Sequence, residues 1–422
     1  MNILMMFHFS PNPPPNDLGP SKRSVPFLNE ALKRHNVSVL SFGSAEEERI
    51  FRQHYTGTLK RIVFVNTERP RLLKLLRRVY ALLTGKGFFH QLYRSQMQKE
   101  LDALVRTDSF DVIYCATALL GCYRFPKGIP LVGDTHNVEH DILRRSVREA
   151  RDIFSKLYWF VEYKIGKRRE LRFCRKFDVL TTTTERDASI FRTELPGCDI
   201  KVISNGVDPL FLQPMDARAE QNTMVFTGLM SYLPNPHGVA YFLDDVLPLI
   251  SAAVPDAKVY IVGKDPPKWL RAKSSDKVIV TGFVEDVRPY IARGQVFIIP
   301  LLIGGGIRGK ALEAMAMRKA IVSTSVGYEG IPLENGKTVL VGDTPREFAD
   351  AVMRLFRDPL LRSALGESAH KLVLEKYNWV EKGAELDGVF RSVATRGARD
   401  ATLQASSVER EPVANHSLVA RH

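Results

Sequence analysis

Cysteine is scarce in this chain: Cys115, Cys122, Cys174 and Cys198 are the four in 422 residues. None forms a CxxC pair, which argues against a disulfide framework or a zinc ribbon and fits buried thiols in a reducing compartment. No apolar run approaches the roughly 18 residues that a membrane-spanning helix needs. The opening MNILMMFHFSPNPPP lacks a basic stretch followed by a long apolar segment and a small-residue cleavage site, so it does not read as a secretory leader. The expectation is a cytoplasmic protein whose membrane contacts are peripheral.

The remaining composition is that of a soluble globular protein, 45% hydrophobic and 25% charged with 28 Gly and 24 Pro, and the length suggests two domains. The formal charge is +13, and it is unevenly placed: 34 basic against 22 acidic residues through position 205, 26 against 25 beyond it. The N-terminal half is therefore the one expected to meet something acidic. Two stretches concentrate the charge, Lys60 to Lys99 and Arg144 to Lys176, both mixing cations with Leu, Phe, Tyr and Trp. They read either as amphipathic helices on an anionic membrane surface or as solvated helix faces packed on a core. No recognisable nucleic-acid module accompanies them.

Period and punctuation predict an α/β fold. A strand at Asn2 to Phe9, a Pro/Gly/Asn loop, a helix to about Arg34 and a strand at Val37 to Phe42 make a βαβ opening. Strands follow at Ile62 to Asn66, Val112 to Cys115, Leu131 to Asp134, Val179 to Thr182 and Lys201 to Ser204. The pattern restarts after Asn205-Gly-Val-Asp-Pro, with strands at Met224 to Gly228, Lys258 to Val262, Val278 to Thr281, Val296 to Pro300, Ala320 to Thr324 and Thr338 to Val341. The expected domains are 1–205 and 206–376, each a Rossmann-like doubly wound unit, with a closing helix over 377–394 that returns to the first domain and a disordered tail over 395–422. Ligands of such sheets bind beyond the carboxyl ends of the strands, so the site belongs in the cleft between the two units.

The densest chemistry lies in VFIIPLLIGGGIRGKALEAMA, residues 296–316. A buried strand leads into Gly304, Gly305 and Gly306, then Arg308, Gly309 and Lys310, then a helix bearing Glu313. Glycine amides and a helix N-terminus can approach an anion closely, and a guanidinium and an ammonium beside them match phosphate oxygens. The spacing Gly304 to Lys310 also fits the GxxxxGK portion of a P-loop, but Ala311 stands where a Ser or Thr hydroxyl would hold magnesium.

This segment resembles the donor-site region of retaining glycosyltransferases of family 4, which have the GT-B fold. Ile203-Ser-Asn-Gly-Val-Asp208 is similar to that family's PNGVD turn, and Leu312-Glu-Ala-Met-Ala316 to its LEAMA helix. Phe226-Thr-Gly and Tyr260-Ile-Val-Gly-Lys264 fit its first C-domain strands. The resemblance implies an enzyme that transfers a sugar from a nucleotide-diphosphate sugar to a glycan or lipid-linked glycan, with retention, at the inner face of the cytoplasmic membrane. It gives Glu313 the role of the second Glu in an E-x7-E pattern, accepting hydrogen bonds from the ribose hydroxyls. Eight residues earlier the pattern departs from the family, with Gly305 where the first Glu would stand.

The further expectations follow from the same resemblance. Arg308 and Lys310 stabilise the leaving group, because the basic residues usual after the first C-domain strand are missing from 230–235. His136, in Val132-Gly-Asp-Thr-His-Asn-Val-Glu139, matches the family's strand-end histidine and touches the transferring sugar or the acceptor, with Asn137 and Glu139 orienting it. Gly19 and Ser21 face the cleft from the first loop, Phe283 and Val284 meet the nucleobase, and Tyr328 borders the pyrophosphate. No DxD motif occurs, so transfer without a metal or other cofactor is expected. A nucleotide-sugar epimerase on the same fold and a non-catalytic GT-B binding protein are the alternatives.

Overall fold

The computed structural model describes residues 1–13, 21–66, 92–150, 152–213, 215 and 218–408. Gly19, and the part of the first basic stretch that includes Arg77 and Arg78, lie outside these residues.

Strands Asn2–Phe7 (β1), Asn36–Gly43 (β2), Arg61–Asn66 (β3), Val112–Cys115 (β4), Leu131–Thr135 (β5), Val179–Thr182 (β6) and Asp199–Val202 (β7) form one sheet. Its order is β3-β2-β1-β4-β5-β6-β7. Strands Thr223–Thr227 (β8), Lys258–Val262 (β9), Val278–Gly282 (β10), Val296–Ile299 (β11), Ala320–Ser323 (β12) and Leu340–Val341 (β13) form the second, in the order β10-β9-β8-β11-β12-β13. All pairings between these strands are parallel. That is why β1 and β11 read as unbroken apolar runs: helices cover both faces, so a strand has no solvent side on which to place polar residues.

The two expected Rossmann-like units are therefore present, and their strand orders fix where a ligand belongs. In the first sheet the chain steps from β1 out to β3 and then jumps back to β4, so the crevice lies between β1 and β4. In the second the reversal lies between β8 and β11, and the triple-glycine segment leaves the carboxyl end of β11 at that switch point.

Each sheet has its own core. Met224, Phe226, Phe242, Phe297 and Phe348 belong to that of the second unit. The first unit packs on both faces of its sheet, and one of those layers contains Leu386, Phe390 and Val393 beside Ile3, Met5 and Phe27. These three come from the last helix, Trp379–Val408, so the chain does return to the first unit. The helix continues to Val408, past the point where a disordered tail is expected to begin; four of the fourteen residues 394–407 are Ala, and a helix that packing has already nucleated is extended at little cost. The expected strand at Lys201 to Ser204 lies two residues earlier, at Asp199–Val202, with Ile200 as its buried residue. Among the described residues no helix is long and apolar enough to cross a membrane.

Candidate active site

The glycine loop ends in a helix, Gly309–Ala316, that has no side-chain cap; its first amides remain available to an anion. Gly306 has φ +65°, and a Cβ there would lie 2.0 Å from the carbonyl oxygen of His136. Only glycine permits that conformation and that approach, which presses the loop of the second unit against the strand-end loop of the first. Gly305 faces the same neighbour: a Cβ would come 3.3 Å from Asn137 Cβ. In the orientation that satisfies its amide, Asn137 donates to Gly305 O at 2.7 Å and to His136 O at 3.0 Å. The position of the family's first Glu thus lies at a contact between the domains, where a side chain would press on Asn137 and Ile142 and these would have to give by a few tenths of an ångström.

Arg308 and Lys310, which the sequence suggests act alike, are placed differently. The Arg308 guanidinium is buried and turned back on its own loop: Nη1 donates to the carbonyls of Gly305 and Gly306, and Nη2 to Val326 O at 3.0 Å. A Cβ on Gly304 would lie 2.5 Å from Nη2, so the loop is built around this side chain. Its Nε is buried without a partner. Lys310 projects instead toward the end of β8, where Nζ donates to Asn235 Oδ1 at 2.7 Å and sits 3.8 Å from the centroid of the Phe226 ring. Its ammonium stands beside Gly228, the first residue after that strand, and so supplies a cation to a loop whose own sequence has none. Among the described residues neither cation forms an ion pair. Burial pushes the Lys310 pKa well below the usual lysine value, because a charge withdrawn from water without a counter-charge is disfavoured.

Glu313 is buried one turn into the same helix and is in contact with Lys22 Nζ from the first unit. Lys22 lies near the start of the helix Ser21–Leu32, next to Arg23. Arg23 is fixed by a bidentate pair with Asp134 (2.7 and 2.8 Å) and by a bond to Asn205 Oδ1 at 2.9 Å. Burial alone would raise the Asp134 pKa, but the adjacent guanidinium holds it below the ordinary carboxylate value. The Ser21 hydroxyl is turned inward, donating to Ser10 O at 3.3 Å.

His136 follows β5, and its Nε2 donates to Ala116 O at 3.0 Å. Because a carbonyl only accepts, the ring is the Nε2–H tautomer and Nδ1 is an acceptor. Burial lowers its pKa and keeps it neutral. His8, just after β1, is a cleft-end residue not singled out from the sequence. Burial, with a contribution from His136, lowers its pKa to about 3, and its buried Nδ1 has no partner. Its position at the strand end was the available signal. Glu139 opens the helix Glu139–Glu149, and burial together with the nearby Glu170 raises its pKa to about 7.

A second contact between the units was also not foreseen. Glu329, in the loop after β12, pairs with Arg145 and Arg186 at 2.9 Å each. Asp141 is buried beneath them and accepts from Arg145 (3.1 Å) and Arg186 (2.5 Å). Tyr328 beside it is half-buried against the core of the second unit. Phe283 is 61% exposed at the end of β10, while Val284 packs inward.

Residues 25–210 match the family described as Glycosyltransferase Family 4, and residues 221–358 the one described as Glycosyl transferases group 1. An alpha-D-kanosaminyltransferase of Streptomyces kanamyceticus is 32% identical over 37% of this chain and 42% of its own length, so the chain spans under half of that curated relative. Among solved structures, Anabaena HepE in complex with UDP is 14% identical with a TM-score of 0.62, covering 93% of this chain and 100% of the other. The S. aureus TarM mutant in complex with fondaparinux, alpha-GlcNAc-glycerol and UDP is 12% identical with a TM-score of 0.64, covering 92% and 99%. These likenesses establish the fold, two facing Rossmann-like domains of the GT-B kind.

Proposed function

We propose that this chain, a GT-B glycosyltransferase by fold and by both family matches, transfers a sugar from a nucleotide-diphosphate donor to a glycan acceptor. One observation carries the reading: two cations without ion-pair partners among the described residues, the buried Arg308 and the half-buried Lys310, lie beside three glycines and an uncapped helix N-terminus. A diphosphate supplies the missing counter-charge. The UDP complexes of HepE and TarM support a nucleotide as its carrier.

In this reading Lys310 and the loop amides meet the diphosphate and stabilise the charge that develops as the anomeric bond breaks. Arg308 acts mainly by shaping the loop. Glu313 accepts from the ribose diol, since a carboxylate has acceptor capacity for two hydroxyls. The exposed Phe283 ring offers a face to the base, and neutral His136 presents Nδ1 to a sugar hydroxyl. Lys310 and the loop amides take the part that a DxD-held metal plays elsewhere, so transfer is metal-independent; retention follows from the family resemblance. The acceptor is lipid-linked and met at an anionic membrane surface. The helix Ile153–Cys174 supports this: Ile153, Phe154, Leu157, Tyr158, Phe160 and Val161 are all exposed along its first turns.

Calorimetry with UDP, GDP and ADP in the presence of EDTA tests the donor site. One of the three should bind the wild type and bind Glu313→Ala at least about tenfold more weakly, the loss expected for two hydrogen bonds to a charged group. If all three fail to bind, the reading is wrong.

A further inference from the structure

The carboxylate assigned to the ribose is already occupied. Glu313 holds the ammonium of Lys22, a residue 291 positions away that belongs to the other domain. The pair is asymmetric: the Glu313 side chain is 9% exposed and that of Lys22 is 50% exposed. A long, half-exposed lysine can change partners at little cost in packing, whereas the buried carboxylate has less room to do so. The base of Lys22 is nevertheless well placed, because Arg23 beside it is clamped by Asp134 and Asn205. Lys310 lies within electrostatic reach of both members of the pair. Glu313 is thus in contact with one ammonium, from the first domain, and feels the charge of a second on its own helix.

We propose that Lys22 is a donor-binding residue with two stations. In the empty cleft it neutralises Glu313; when the ribose diol takes Glu313, the displaced ammonium moves onto the diphosphate beside Lys310. This rests on the reading of Glu313 as the ribose acceptor and adds the N-terminal domain's share in holding the nucleotide. The exchange is balanced for a nucleoside diphosphate, because Lys22 leaves one anion for another. It is unbalanced for a nucleoside, which must break the ion pair and offers Lys22 nothing in return. Lys22 thus makes the site select the diphosphate over the bare nucleoside.

The test is calorimetry with UDP, GDP, ADP and the three corresponding nucleosides on wild type, Lys22→Ala, Lys22→Gln, Lys22→Arg and Glu313→Ala. For the diphosphate that the wild type binds, Lys22→Ala and Lys22→Gln should weaken affinity by about tenfold or more while nucleoside affinity is unchanged or increased. Lys22→Arg should stay within about threefold of wild type for the diphosphate, since it keeps the charge. An equal fall for diphosphate and nucleoside, or unchanged diphosphate affinity in both neutral variants, overturns the assignment. If Glu313→Ala weakens the diphosphate and the Lys22 variants do not, the donor reading stands and Lys22 has no part in it. If the wild type binds none of the six, both fall together.

Discussion

Lys310 shows how one residue's surroundings set a measurable property. Its folded pKa is depressed by burial, so in the empty protein the charged form is penalised. That penalty is fully present below the folded pKa and disappears as pH rises toward the unfolded value. A diphosphate restores the charge, so binding should take up protons, and affinity should fall as pH rises through the depressed pKa. Calorimetry in two buffers of different ionisation enthalpy should show a buffer-dependent heat that Lys310→Ala abolishes. The same variant should lose about 2 to 4 kcal/mol of leaving-group stabilisation in turnover; a variant that turns over at the wild-type rate would remove Lys310 from the mechanism. Arg308→Ala should act differently, lowering activity together with melting temperature, because the side chain ties three carbonyls of the loop system.

At the scale of elements, the exposed end of the helix Ile153–Cys174 sets its own test. Phe154→Ser combined with Leu157→Ser should reduce binding to anionic vesicles while leaving soluble nucleotide affinity unchanged, because the two residues are 81% and 60% exposed and lie outside the donor-site elements. Sedimentation with vesicles decides it, and undiminished binding would return this helix end to an ordinary solvated face. The elements themselves were largely legible in the sequence. Parallel strands buried on both faces show as short apolar runs, and the strand, glycine loop and helix around residues 296–316 announce themselves by spacing. What was not legible depends on partners far apart in the chain. The apposition of Lys22 to Glu313, the inward turn of Arg308 and the approach of Gly305 to Asn137 each require knowing how the two sheets face one another. His8 was missed although its strand was found, because a single histidine in an apolar run carries no periodic signal.

For the whole molecule, the contacts between the domains include a charged cluster. Glu329 meets Arg145 and Arg186 over the buried Asp141. Burial alone would raise the Asp141 pKa, but Arg186 and its neighbours lower it, so the cluster remains ionised and opposes separation of the domains. Glu329→Gln should shift the protein toward a more open form, seen as a larger radius of gyration by small-angle scattering and faster tryptic cleavage between the units; an unchanged scattering profile would deny the cluster that role. The crossing of the last helix has a different consequence. The second domain is built from one continuous stretch, but the first completes its core only when Leu386, Phe390 and Val393 arrive beside Ile3, Met5 and Phe27. The half synthesised first is therefore finished last, and the part of its apolar layer that faces the last helix waits until residues 386–393 have been made and released.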